Sequence, residues 1–208
     1  MHYINKTRFF ILTVILTLIF SFLLSYAKNV NRDLSESVVR LHILANSDSA
    51  ADQALKLAVR DRILSEASYI FENTQDPKAA LSAAEQNSQL IRGIAEDEIR
   101  RQGYSYTASV KVGRFAFPTK VYGDIMLPAG KYNAVRIEIG SGSGKNWWCV
   151  MYPPLCFTDG VVSVSDENRQ KLKDSLTADE YSLITGKSDR AIPVEVRFKI
   201  VEIFQNLF

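Results

Sequence analysis

The spacing of apolar residues changes at Gly103, and that change sets the kind of fold open to this chain. Before it, Leu55, Val59, Ile63, Ala67 and Ile70 recur at near i+4 spacing, and Leu81, Ala84, Ser88, Ile91, Ala95 and Ile99 form a second stripe. Such spacing places each set on one side of a helix. After Gly103, Tyr104, Tyr106, Ala108, Val110 and Val112 alternate with Ser105, Thr107, Ser109 and Lys111. Asn133, Val135, Ile137 and Ile139 alternate with Tyr132, Ala134, Arg136 and Glu138, and Val194, Val196, Phe198 and Ile200 repeat the pattern near the end. A period of two belongs to a strand with one apolar and one polar face. Upstream, Val39, Leu41 and Ile43 oppose Arg40 and His42 in the same way. The expectation is an α+β domain, a mostly antiparallel or mixed sheet with two long N-terminal helices on one face and the other face wet.

Local signals mark the element ends. Asn46-Ser47-Asp48-Ser49 ends the first strand, and Ser49 with Asp52 resembles a capping box. Asp52 and Lys56 are placed for an i,i+4 ion pair of about 0.3 kcal/mol. The run from Asn73 to Pro77 separates the two helices, the second covering about 78–102 with Gly103 as its stop. Pro118, Gly123, Pro128 and Gly130 mark turns, and Ser165–Ser175 and Thr177–Thr185 read as short helices, the latter opened by a Thr177–Glu180 capping box.

Phe9 to Tyr26 is a run of eighteen residues without charge, Pro or Gly, preceded by Lys6 and Arg8. As a helix it spans roughly 27 Å against a hydrocarbon core of roughly 30 Å. Ser25-Tyr26-Ala27 offers small residues at a cleavage spacing, so a removed signal peptide and a retained transmembrane anchor both stay open. The division expected is a leader at 1–27, a polar linker at 28–37 and one extracytoplasmic α+β domain at 38–208. Thr13, Thr17, Ser21 and Ser25 form one stripe on the leader helix, suited either to close packing of a second helix or to bonds back to its own carbonyls.

Composition removes several function classes. The 208 residues hold 25 Lys plus Arg against 23 Asp plus Glu, and Lys6 and Arg8 account for the excess. A balanced body has no field that gathers nucleic acid. Two His, one of them His2, and two Cys are too few for a zinc ribbon, and no metal or cofactor site is expected. Gly140 to Lys145 (GSGSGK) is not a P-loop: three residues rather than four separate Gly140 and Gly144, Asn146 stands where a hydroxyl is needed, and no helix follows. It reads as a hairpin loop. No G-x-S-x-G elbow occurs, so a hydrolase would have to be built on His42 with Asp48 or a hydroxyl. Asp48 and Asp52 could form a carboxylate pair, but a helix start already favours negative charge there.

The most unusual stretch is Asn146 to Phe157, NWWCVMYPPLCF, which holds both Trp, both Cys and two of the six Pro. Adjacent Trp residues in a strand point to opposite faces. Trp147, Trp148, Tyr152 and Phe157 are therefore candidate partner contacts, against the reading of a core strand. A Cys149–Cys156 bridge would close an eight-residue loop worth about 2.5 kcal/mol, in a compartment that oxidises thiols. Asn46, Ser47 and Asp48 form a second candidate surface, against plain turn and cap chemistry.

The blocks Arg40 to Asp61, Asn146 to Phe157 and Val196 to Phe204 resemble the stage II sporulation protein R family. The resemblance implies a signalling protein made in the forespore and exported to the space between forespore and mother-cell membranes. It implies activation there of a membrane-embedded aspartic protease, which removes the pro-sequence of a sigma factor. The family is not itself the protease, so the resemblance carries over no catalytic residue, cofactor or small-molecule substrate. The alternatives are an extracytoplasmic hydrolase built on His42 and a structural envelope protein.

Overall fold

A computed structural model describes residues 6–72, 74–153, 155 and 166–185. The elements run α1 (Lys6–Glu36), β1 (Val39–Leu44), α2 (Ala50–Ala67), α3 (Tyr69–Glu72), α4 (Pro77–Gln86), α5 (Ser88–Arg101), β2 (Ala108–Phe117), β3 (Lys120–Tyr122), β4 (Ile125–Leu127), β5 (Gly130–Ile139), β6 (Asn146–Tyr152), α6 (Asp166–Asp174) and α7 (Ala178–Thr185). Among the described residues four strands form a mixed sheet in the order β2-β5-β1-β6, and β3 and β4 form a separate ribbon. β1 runs parallel to β5 and antiparallel to β6, while β2 and β5 are antiparallel. The chain is α+β with a mixed sheet.

The apolar stripes expected before Gly103 build the core on one face of that sheet. Leu55, Val59, Ile63 and Ala67 of α2, with Ile91, Ala95 and Ile99 of α5, pack against Val39, Leu41, Ile43, Val135, Ile137 and Ile139. Ser49 caps α2 by accepting from Asp52 N–H at 3.1 Å, and the Thr177–Glu180 box opens α7 at 2.7 and 3.3 Å. Two long helices are not what forms, however. The segment read as one helix over 78–102 breaks at Asn87, whose side-chain amide donates to Ala83 O at 2.8 Å while α5 restarts at Ser88. Asn competes with the helix for its own carbonyls, and the ladder ends there.

The other face is covered too, which corrects the expectation of a wet side. Leu34 at the end of α1, Tyr122, Ile125 and Leu127 of the β3–β4 ribbon, Leu172 of α6 and Ile184 of α7 pack over Phe117, Tyr132, Ala134 and Val150. Arg40 and His42, read as solvent-facing, are consequently buried, at 0% and 4% exposure. The expected strand at 194–200 lies outside the described residues.

Residues 28–36, read as a tether, continue α1, and its C-terminal end packs against β5. Among the described residues no helix is long and apolar enough to cross a membrane, so the transmembrane helix expected from the leader is not found there. α1 nonetheless exposes a row of large apolar side chains from Phe9, at 62%, to Phe22. Thr13 and Thr17 bond back to Phe9 O and Thr13 O at 2.9 and 2.8 Å, the self-contained use of that stripe.

Candidate functional site

The two surfaces singled out in the sequence meet at one end of the sheet. β6 pairs with β1 so that Asn146 lies opposite Leu44, which brings the start of NWWC beside the Asn46-Ser47-Asp48 turn. The GSGSGK loop closes over that turn. Asn46 Oδ1 accepts from Ser141 N–H at 3.0 Å, Asn46 O accepts from the hydroxyls of Ser141 and Ser143 at 2.7 Å each, and Asp48 Oδ1 accepts from Lys145 N–H at 2.7 Å. Gly144 N–H donates to Ala45 O at 2.9 Å. A Cβ on Gly144 would collide with the Ser47 carbonyl, and one on Gly140, at φ +57°, with the Asn46 amide. The glycines serve close backbone approach, not phosphate.

The same turn organises the buried charges of α2. Asn46 and Ser47 donate to Asp52 Oδ2, and these hydrogen bonds hold the Asp52 carboxyl below the usual carboxylate range. Lys56 turns instead to Gln53 Oε1 at 2.6 Å and Lys145 O at 3.1 Å, so the expected Asp52–Lys56 pair does not form. Burial lowers the Lys56 ammonium below its ordinary pKa. Asn46 and Ser47 are thus occupied by turn and cap chemistry, while Asp48 is exposed.

Trp147 and Trp148 divide between the faces, as adjacent strand residues must. Trp147, opposite Ile43, lies against the helix-side core with the Arg60 guanidinium 4.2 Å from its ring. Trp148 faces the other way and stacks on His42, with Phe117 tilted against it at 4.7 Å. Tyr152, expected as a partner contact, is 9% exposed in the helix-side core opposite Val39, and packing rather than display accounts for it. Phe157 and Cys156 lie outside the described residues.

The register produces an arrangement that alternation alone did not reveal. Trp148 lies opposite His42, His42 beside Arg136, and Arg136 opposite Lys111, so one row crosses β6, β1, β5 and β2 on a single face. Its β6 end is aromatic. Toward β2 it is cationic: Arg136 and Lys111 both contact Glu138, at 2.9 and 3.0 Å, leaving two cations to one carboxylate. The Lys111 side chain is 57% exposed. Phe115 supports Arg136 from 5.5 Å.

His42 has no acid to orient it. Its Nε2 lies 2.7 Å from Asn146 Oδ1, and Asp48 is engaged by Lys145. Burial depresses its pKa to about 4, helped by Arg136 and Arg40. A base needs a pKa near the working pH, which burial takes from His42, and the Asn146 amide that orients the ring through Nε2 carries no charge to stabilise an imidazolium. Among the described residues no group of three or more His, Cys, Asp or Glu could hold a metal ion. The aromatic end of the row is packed into the body, with His42 buried and Trp148 half-buried, and its accessible end is the cationic pair Arg136 and Lys111.

The family model for stage II sporulation protein R matches residues 35–162. The chain belongs to the stage II sporulation protein R family. A curated relative, Stage II sporulation protein R of Bacillus subtilis (strain 168), is 33% identical over 186 residues, covering 84% of this chain and 83% of the relative. No solved structure matches. The stage II sporulation protein R match begins at Ser35, so it takes in both sheet faces and the whole cross-strand row. A sporulation role follows from the family. Arg136, Lys111 and Phe117 were missed as site residues; the polar positions of their strands were visible, but not their register.

Proposed function

We propose that this chain is an exported sporulation signal that activates a membrane-embedded aspartic protease from the space between forespore and mother-cell membranes, leading to processing of a pro-sigma factor. It binds the extracytoplasmic part of the protease and favours the active state, which requires tighter binding to that state than to the inactive one. Family membership supports the sporulation role. The observation that carries the binding reading is the exposed cationic end of the Trp148–His42–Arg136–Lys111 row, where Lys111 and Arg136 share one carboxylate while His42 is buried with the uncharged Asn146 amide. Residues 1–27 direct export, and the exposed apolar row of α1 favours a membrane-directed leader. A Cys149–Cys156 bridge, between the two cysteines of the chain, stiffens the end of β6.

Export dependence tests the proposal. In sporulating cells lacking the native copy, the intact chain and a version carrying a foreign cleavable signal in place of residues 1–27 restore mature sigma factor on immunoblots. A leaderless version restores none. Full processing by a leaderless chain confined to the cytosol would refute it.

A further inference from the structure

β2 forms one border of the sheet. Its ten residues pair with β5 in unbroken register from Ala108 opposite Ile139 to Phe117 opposite Gly130, and among the described residues no strand pairs with its other side. Among the described residues, the one side-chain bond to its backbone is Ala108 N–H to Glu96 Oε1 at 3.2 Å. No proline or bulge interrupts it. A strand of this length presents about 33 Å of edge, along which alternate residues turn N–H and C=O outward. Such an edge is a template for strand addition unless something blocks it.

Charge decides the occupant. Lys111 and Arg114 lie on β2 with side chains 57% and 44% exposed, and Lys131 is exposed opposite Ala116. Glu138 and Glu36 only partly offset them. A second copy of β2 would bring like charges together and is disfavoured. We propose that the β2 edge binds an extended acidic segment of another protein, which adds to the sheet as a fifth strand. Lys111 and Arg114 are three residues apart and so belong to opposite faces, and an opposed residue shares the face of its partner. The added strand therefore carries two carboxylates three positions apart, one on each face. This inference rests on strand order and charge, independently of the signalling proposal.

The probe is a synthetic peptide of alternating threonine and valine with two glutamates three positions apart, fluorescently labelled, added to the full-length protein in nonionic detergent. Anisotropy reports binding, and hydrogen–deuterium exchange shows protection centred on residues 108–117. Replacing both glutamates by lysine weakens binding at least about tenfold, a difference of about 1.4 kcal/mol. The double variant Lys111→Glu, Arg114→Glu reverses that preference. N-methylating alternate peptide nitrogens abolishes binding to the unaltered protein, a comparison that does not depend on the variant folding. Equal binding of the lysine peptide, or no protection of β2, overturns the proposal. So does concentration-dependent protection of β2 without peptide, which would assign the edge to a second copy.

Discussion

His42 lies flat against Trp148, with ring centroids 3.7 Å apart and planes inclined by 18°. The stack sits between Asn146, which holds the imidazole Nε2, and Phe117, whose centroid is 5.8 Å from the imidazole. A histidine confined this way is part of the packing, and its properties make the first prediction.

Burial lowers the His42 pKa from 6.5 to about 4, with Arg136 and Arg40 acting in the same direction and Glu138 and the Asn146 bond against it. The unfolded chain then binds the proton more readily than the folded one between those values. The His42 contribution is fully present above pH 6.5 and is lost as pH falls toward about 4. His42→Phe keeps an aromatic ring on Trp148 and removes the proton. Urea unfolding across this range should show stability falling less steeply with acid in the variant than in the wild type, and parallel curves would contradict the assignment.

Trp147 and Trp148 both pack against the body, one under Arg60 and one over His42. Alanine at either position should therefore cost about 2–4 kcal/mol, somewhat below a fully buried Trp because both are only half-buried. Denaturant midpoints measure it. Unchanged midpoints would mean that the rings serve a partner alone.

Arg40 is fully buried, donates to Tyr122 Oη at 2.8 Å and lies 4.1 Å from the Phe117 ring centroid and 4.7 Å from that of Tyr132. Among the described residues its Nε and Nη1 have no hydrogen-bond partner. Cation–π contact returns only about 2 kcal/mol of the desolvation cost of such a group. Arg40→Met keeps the length of the side chain and removes the charge, and should raise stability by about 1–3 kcal/mol. A lower melting temperature would show that the aromatic cage more than offsets the burial.

Glycine positions separate crowding from chain entropy. Gly144→Ala drives a methyl into the Ser47 carbonyl and should destabilise by about 2 kcal/mol or more, opening the clasp over the Asn46 turn. Gly93→Ala, in the middle of α5 with nothing within 4 Å, should stabilise by about 0.5–1 kcal/mol. Opposite signs in thermal melts are the expected result, and a shared sign would contradict it.

What could be read from the sequence follows from what periodicity encodes. The buried stripe Leu55, Val59, Ile63, Ala67 and the alternation of β1, β2 and β5 state which residues share a face, and those were legible. Register is not encoded in alternation, so the alignment of Trp148, His42, Arg136 and Lys111 emerged only with the pairing of four strands. The cover on the face that carries Arg40 and His42 includes Leu34, Tyr122, Leu172 and Ile184, contributed by helix ends and a three-residue strand too short to show a period. The break at Asn87 was hidden because the Ala-rich stripe runs on across it.

On the proposed function the domain acts by binding, through the cationic end of its cross-strand row. The most direct measurement is the ratio of pro-sigma factor to mature form in sporulating cells expressing either His42→Phe or the pair Lys111→Gln, Arg136→Gln, each at wild-type protein level. Wild-type processing with His42→Phe and loss of processing with the glutamine pair is the result expected. Loss with His42→Phe and full processing with the glutamine pair would contradict the account, because it would place the activity on the imidazole instead of the cationic edge.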